Sequence, residues 1–224
     1  MLLSKDKKVF IYLFLLIFLG SINNKNLTVN HIFEIKNLKL DGLNEKEKFN
    51  LLIQLEQIKN KNIFSLPKKT LIEILNSNNL IESFLINKNY PSDLSIIVKK
   101  TSFLANVNIN GENFLIGSNR KLIKSELINP NLPIVLGSQT IDDFFLIKDN
   151  ILKSSINFND IKKLYFFTSR RWDLELRNGV LIKLPIDASF ETLNSFFKVM
   201  NLSHFKNKDI FDLRVDNQII VNEL

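Results

Sequence analysis

The spacing of hydrophobic and polar positions divides the 224-residue chain into three parts. An apolar run from Val9 to Ile22 comes first, helical and alternating spacings share the range 31–101, and short alternating runs dominate the range 102–224. Apolar residues recur every three or four positions in an amphipathic helix and every second position in a half-buried strand. The pattern therefore predicts an α+β protein with two folded regions after the apolar run.

The range 31–101 is predicted to hold five elements in the order strand, helix, helix, strand, strand. Alternating apolar positions end at the turn dipeptide Asp41-Gly42, and helical spacing follows Asn44, a suitable N-cap residue. A second helix follows the first. Two strands then flank the turn sequence Tyr90-Pro91-Ser92-Asp93. This order is typical of a POTRA module, a small domain that docks extended partner segments.

The range 102–224 is predicted to form a mixed β domain, with an antiparallel sheet and flanking helices at 141–152 and 188–200. Its strongest signal is a hairpin around Asn178-Gly179, because this dipeptide favours the type I′ turn whose twist suits paired strands. A last hairpin is predicted around Asp216-Asn217.

The last predicted strand, Gln218 to Val221, has one sequence neighbour to pair with, which favours a position at the edge of the sheet. An apolar edge of this kind often accepts a strand from a partner, and proline at Ile220 is expected to disturb such pairing. The alternative is an interior strand, or an edge blunted by Asn222 and Glu223.

The N-terminal apolar run is predicted to be an export element. Basic residues precede it, at Lys5, Lys7 and Lys8. A basic flank that stays in the cytoplasm places the rest of the chain across the membrane. As a helix, Val9 to Ile22 is only about 21 Å long, and signal peptides have apolar segments of similar length. The run therefore fits either an uncleaved anchor or a signal peptide.

Composition excludes several kinds of site and favours none. The chain has no cysteine and only two histidines, His31 and His204, so thiol nucleophiles and zinc sites are disfavoured. The net charge of +7 comes from scattered lysines, which does not indicate a nucleic-acid interface. An exported hydrolase is the least favoured alternative, since nothing in the sequence brings its carboxylates together; they are Asp142, Asp143, Glu175 and Asp212.

Several local motifs together resemble the FtsQ/DivIB family of bacterial cell-division proteins, and the run from Arg170 to Pro185 most resembles its alphaproteobacterial branch. They are Tyr90 to Leu94, Leu132 to Gly137, Ser169 to Val180, Lys183 to Pro185 and Phe211 to Arg214. The chain departs from the usual family pattern at Lys100 to Phe103 and at Ile116 to Arg120.

The resemblance implies a single-pass inner-membrane protein that acts without catalysis, cofactor, metal or small-molecule substrate. It implies a cytoplasmic tail at 1–8, a membrane anchor at 9–22, a linker at 23–30, a periplasmic POTRA domain at 31–101 and a periplasmic β domain at 102–224. A protein of this kind scaffolds the divisome at the septum. The alternative within this class is a POTRA-containing component of an outer-membrane protein assembly or secretion machinery.

The resemblance also implies that the last strand binds an FtsB/FtsL-type complex by strand addition. The implied partner-binding strip consists of Val215, Asp216, Asn217, Gln218, Ile219, Ile220 and Val221. Arg170 and Arg171 align with a basic pair beside it.

Overall fold

The computed structural model describes residues 5–22, 33–186, 188–200, 202, 209–215 and 218–222. The helices are α1 Lys5–Ile22, α2 Glu45–Leu55, α3 Lys68–Ser77, α4 Ile141–Lys153 and α5 Phe190–Met200. The strands are β1 Asn37–Asp41, β2 Ile81–Asn89, β3 Asp93–Lys100, β4 Phe103–Ile109, β5 Glu112–Gly117, β6 Leu122–Lys124, β7 Ile134–Leu136, β8 Ile161–Phe166, β9 Trp172–Leu176, β10 Leu181–Lys183, β11 Ile210–Asp212 and β12 Ile220–Asn222.

Helix α1 contains the apolar run, and its side chains from Val9 to Leu19 are all exposed. Within the described ranges, no helix has both the length and the apolar character needed to cross a membrane.

The first compact unit comprises Met1–Ser77 and Phe84–Val98. After α1 it shows the predicted order of strand, two helices and two strands, with the sheet order β1-β3-β2. The N-cap of α2 is a full capping box: Glu47 N donates to Asn44 Oδ1 at 2.9 Å, and Asn44 N donates to Glu47 Oε2 at 3.2 Å. The core of this unit lies between the helices and the sheet; its fully buried members include Leu40, Leu51, Leu55, Leu71, Leu75, Leu94 and Ile96.

The second compact unit comprises Asn78–Ser83 and Lys99–Leu224. Its described residues form a nine-stranded sheet in the order β12-β11-β10-β9-β8-β7-β4-β5-β6. The sheet is mixed rather than wholly antiparallel, since β10 pairs parallel with β11, and β7 pairs parallel with both β4 and β8. Parallel neighbours need a long crossover, and α4 and α5 supply two of these connections.

The crossover helices cover one face of the sheet and create the core of the second unit. Phe144 of α4 and Phe196 of α5 are fully buried, and so are Leu174 and Phe211 of the sheet. The opposite face carries charged residues that alternate with the core residues along β9 and β11, among them Asp173. This unit therefore has one helix-covered face and one polar face.

Candidate functional site

The edge predicted from the sequence is present in the fold. Strand β12 is the first strand of the nine-stranded order, and its only neighbour there is β11. The pairing is antiparallel and places Ile210 opposite Asn222 and Asp212 opposite Ile220. Ile220 is 44% exposed, whereas Ile219 and Val221 pack against the core. The last strand thus keeps one side on the sheet and leaves the other side open among the described residues.

The hydrogen bonds of β11 identify which backbone groups of β12 face the open side. On its β10 side, Asp209 O accepts from Leu181 N at 2.7 Å, and Leu213 N donates to Lys183 O at 2.9 Å. Backbone groups alternate along a strand, so within β11 Phe211 faces β10, whereas Ile210 and Asp212 face β12. Asp209, just before β11, donates its N–H to Asn222 O at 3.3 Å, which places the Asn222 carbonyl on the β11 side. The backbone of Ile220 therefore faces β11.

Val221 consequently directs its N–H and C=O groups away from β11, because neighbouring residues of a strand face opposite sides. Proline at Ile220 would break the existing ladder instead of blocking the open side. Within the described part of the last strand, Val221 is the residue whose amide is available to an added strand.

The other residues of the predicted strip, from Val215 to Gln218, precede this edge strand in the chain. Val215 is 46% exposed, and its carbonyl accepts a hydrogen bond from Gln218 N at 3.2 Å. Asp216 and Asn217 lie outside the described residues.

A groove lies beside the strip, between the N-terminal part of α5 and the segment that connects β11 to β12. Glu191, Thr192 and Ser195 of α5 line one side, and Leu213 and Ile219 are on the other. Its volume is about 530 Å³. The groove is large enough to take a side chain of a segment that pairs with β12.

Arg170 and Arg171 lie in the β8–β9 turn, with β10 and β11 between β9 and β12, and they have different surroundings. Arg170 adopts a positive φ of 63°, its side chain is 74% exposed, and it donates to Asp143 Oδ1 at 3.0 Å. Asp143 in turn belongs to the capping box that begins α4. Arg170 is therefore bound on the helix side of the sheet.

Arg171 lies on the polar face. Its guanidinium stacks 4.3 Å from the centroid of the Phe167 ring, and its Nε donates to Asp173 Oδ1 at 3.2 Å. Asp173 pairs across the sheet with Lys183, and Lys183 pairs with Asp212. A row of charged residues thus links Arg171 to β11, directly beside Ile220.

The two carboxylates of this row are both buried but have opposite electrostatic environments. Burial raises the pKa of Asp173, although Arg171 opposes the shift. The guanidinium of Arg214 keeps the pKa of Asp212 below its usual value, since Arg214 Nε donates to Asp212 Oδ1 at 2.7 Å and to Oδ2 at 2.9 Å. The charged end of the row next to β12 is therefore a tightly held arginine–carboxylate pair.

The carboxylates considered for a hydrolase are each engaged by other groups. Asp142 pairs with Arg120 at 2.8 Å, and Asp143 caps α4. Glu175 accepts from the Tyr165 hydroxyl at 2.6 Å and pairs with two lysines; hydrogen bonds from these groups lower its pKa to about 2. Asp212 is held by Arg214. Among the described residues, no group of three His, Asp or Glu side chains is placed to hold a metal ion.

Comparisons with known proteins agree on one family. Residues 105–214 match the family model described as cell division protein FtsQ/DivIB, C-terminal. Over 195 residues the chain is 24% identical to a protein named cell division protein FtsQ from Rickettsia bellii (strain RML369-C). The aligned region covers 85% of this chain and 73% of that relative.

Among solved structures, the major extracytoplasmic domain of the trans isomer of DivIB from Geobacillus stearothermophilus aligns with a TM-score of 0.34 and 11% identity. The alignment covers 48% of this chain and 92% of that structure.

Proposed function

This chain belongs to the FtsQ/DivIB family of cell-division proteins, and from that premise we propose that its second unit holds a division partner by strand addition to β12. Members of the family are components of the division machinery rather than enzymes. The proposed role is that of a scaffold that binds an FtsB/FtsL-type complex at the septum.

The open backbone of Val221 is the observation that carries this proposal. An added strand gains hydrogen bonds from the edge, and these bonds depend little on the partner's side chains. Selectivity then comes from the side chains that alternate along the added strand. The exposed Ile220 and the groove beside Leu213 and Ile219 offer apolar contacts to such side chains.

The basic residues have a separate part in the proposal. Arg170 is exposed enough to exchange Asp143 for a carboxylate of the partner, and Arg171 remains stacked on Phe167 at the other end of the charged row. Exposed ion pairs contribute little each, so these arginines select and orient the partner, whereas the strand pairing supplies most of the affinity.

Proline at Val221 is expected to abolish copurification with the FtsB/FtsL-type partner. The substitution removes the outward N–H and leaves the ladder between β11 and β12 in place, because the Val221 amide does not face β11. An edge strand tolerates proline where its N–H faces solvent. The measurement is the amount of partner that copurifies with the full chain from membranes.

Val221→Ala is the matched control, since it removes the same packing contacts but keeps the N–H. We expect the alanine variant to retain most of its partner. If both variants lose the partner equally, the side chain of Val221 matters rather than its backbone. If both retain it, strand addition at β12 is wrong.

The same proposal places residues 9–22 as a membrane anchor, with 1–8 in the cytoplasm and both folded regions in the periplasm, the first of them, 31–101, as a POTRA domain. The basic residues before the apolar run support this orientation, and the exposed apolar side chains of α1 support contact with lipid.

A topology experiment tests the anchor with two single-cysteine variants, because the natural chain has no cysteine. In spheroplasts, a membrane-impermeant maleimide is expected to label Lys153→Cys and to leave Ser4→Cys unlabelled until the membrane is opened. The intact mass of the purified chain separates the two N-terminal alternatives. A mature chain that lacks residues 9–22 would identify a cleaved signal peptide and reject the anchor.

A further inference from the structure

The first unit has an apolar groove between β1 and α2, and its lining includes exposed apolar side chains as well as residues of the core. Helix α2 buries Leu51 and Leu55 completely, but the neighbouring stripe of Phe49, Leu52 and Ile53 lines the groove. Phe49 is 64% exposed and Ile53 is 55% exposed. The groove has a volume of about 370 Å³. A helix that is apolar on two stripes and buries only one of them presents a surface suited to a partner.

Strand β1 forms the other wall of this groove and is an edge strand. The sheet order is β1-β3-β2, and among the residues that the structure describes β1 pairs with β3 only. Leu40 of β1 is buried on the helix side, and Leu38 on the same side lines the groove. A strand added to β1 would project every second side chain over α2, because side chains alternate between the two faces of a sheet.

Two lysines at one end of the groove indicate which charge a bound segment should carry. Lys36 and Lys59 both line the groove. The residues next to them are hydrogen-bonded, since Asn60 N donates to Ile35 O at 3.4 Å, so the two lysines lie on neighbouring chain segments. Neither lysine has an ion-pair partner among the described residues, and Glu56 is the one acidic side chain of the lining. Two unpaired cations beside an apolar channel complement a segment that carries carboxylates at its end.

We propose that the β1–α2 groove binds an extended segment of a second protein, with apolar residues at alternate positions and acidic residues where it meets Lys36 and Lys59. This site lies in the first unit and does not involve β12. It gives the protein a second docking edge with a different selectivity: a basic end and an apolar channel.

A synthetic peptide tests the site directly. The probe is fluorescein-labelled Glu-Asp-Val-Thr-Val-Thr-Val-Asp-Glu, with acids at both ends to serve either strand direction, and the matched peptide replaces each acid with its amide. Fluorescence anisotropy is measured with the full chain in detergent micelles, and empty micelles are the blank. We expect saturable binding of the acidic peptide and binding about tenfold weaker for the amide peptide.

Variants locate the binding within the first unit. Ile53→Ser is expected to weaken the acidic peptide about tenfold, since a buried aliphatic side chain contributes at least that factor. Leu85→Ser, at an equally exposed leucine of β2, is the control and is expected to change nothing. Replacing Lys36 and Lys59 together with Gln should remove the preference for the acidic peptide, whereas the same change at Lys68 and Lys69 of α3 should preserve it.

Three results would overturn the proposal: no saturable binding up to about 1 mM peptide, equal losses in Ile53→Ser and Leu85→Ser, or a dimer in sedimentation that Ile53→Ser dissolves, which would make a second copy of the chain the occupant. Val221→Pro is expected to bind the peptide normally, so failure at this groove and failure at β12 are told apart.

Discussion

Alanine at Phe211 is expected to lower the free energy of unfolding of the second unit by about 3–5 kcal/mol. Phe211 is the central residue of β11 and is fully buried. Its ring packs edge-on against the ring of Phe196 in α5, with the centroids 5.1 Å apart. The substitution removes both the buried apolar area and this aromatic contact, and it leaves a cavity beneath the strand that supports β12.

Trp172 makes the measurement specific to this unit. It is the only tryptophan of the chain, and it lies in β9 with 6% of its surface exposed. Its fluorescence during urea unfolding therefore reports the second unit alone. Phe190→Ala, at a phenylalanine that is 37% exposed, is the matched control and is expected to lose less than half as much. A Phe211→Ala midpoint equal to that of the natural chain would contradict the placement of β11 in the core.

If the proposed partner binds at β12, Phe211→Ala is also expected to weaken its copurification, because β12 has no other neighbour in the described sheet than β11. A destabilised variant that still binds its partner fully would mean that the partner orders the edge as it binds.

The elements that local chemistry determines could be predicted from the sequence. The capping box at Asn44 begins α2, and the Asn178-Gly179 turn joins β9 to β10. The edge position of β12 agrees with the prediction, since its one neighbour among the described strands is β11, the strand before it in the sequence. These features depend on residues that are close together in the sequence.

Strand β4 was not predicted, because its pattern includes a polar residue on a buried strand. Asn106 is 4% exposed, and its side-chain amide donates to Asn129 O at 2.8 Å and to Leu132 O at 3.1 Å. The side-chain oxygen of Asn106, Oδ1, accepts a hydrogen bond from Asn129 N at 2.8 Å. These bonds satisfy a buried amide, but their partners are more than twenty residues away and the alternation gives no sign of them.

The details of the candidate site depend on register, which local patterns leave open. The row of charged residues from Arg171 to Asp212 was not predicted, although the alternation in β9 places Asp173 on the face of the sheet that points away from the core. Only the pairing brings Lys183 between Asp173 and Asp212. The same pairing determines that Val221, rather than Ile220, has the open amide. One part of the row has a signal in the sequence. Asp212 and Arg214 are two residues apart, so in an extended chain both side chains lie on the same side.

Alanine at Gly137 is expected to destabilise the second unit by about 3 kcal/mol or more, the sum of a backbone penalty and a steric one. Gly137 directly follows β7 and has a φ of +114°, a conformation that side chains rarely adopt. A Cβ atom there would lie 2.2 Å from the carbonyl oxygen of Phe166, at the end of the neighbouring strand β8. A backbone atom cannot move aside as a side chain does, so the strand end itself must shift.

Gly179→Ala separates the two contributions to this loss. Gly179 also has a positive φ, of +94°, but nothing lies within 4 Å of its added Cβ. It should therefore show only the backbone penalty, about 1 kcal/mol. The Phe166 ring lies 4.8 Å from the ring of Trp172, so Gly137→Ala is expected to change the near-ultraviolet circular dichroism of the tryptophan even in the folded state, and Gly179→Ala is not. Equal losses of stability in the two variants would show that the close approach of β7 and β8 at Gly137 does not limit the fold.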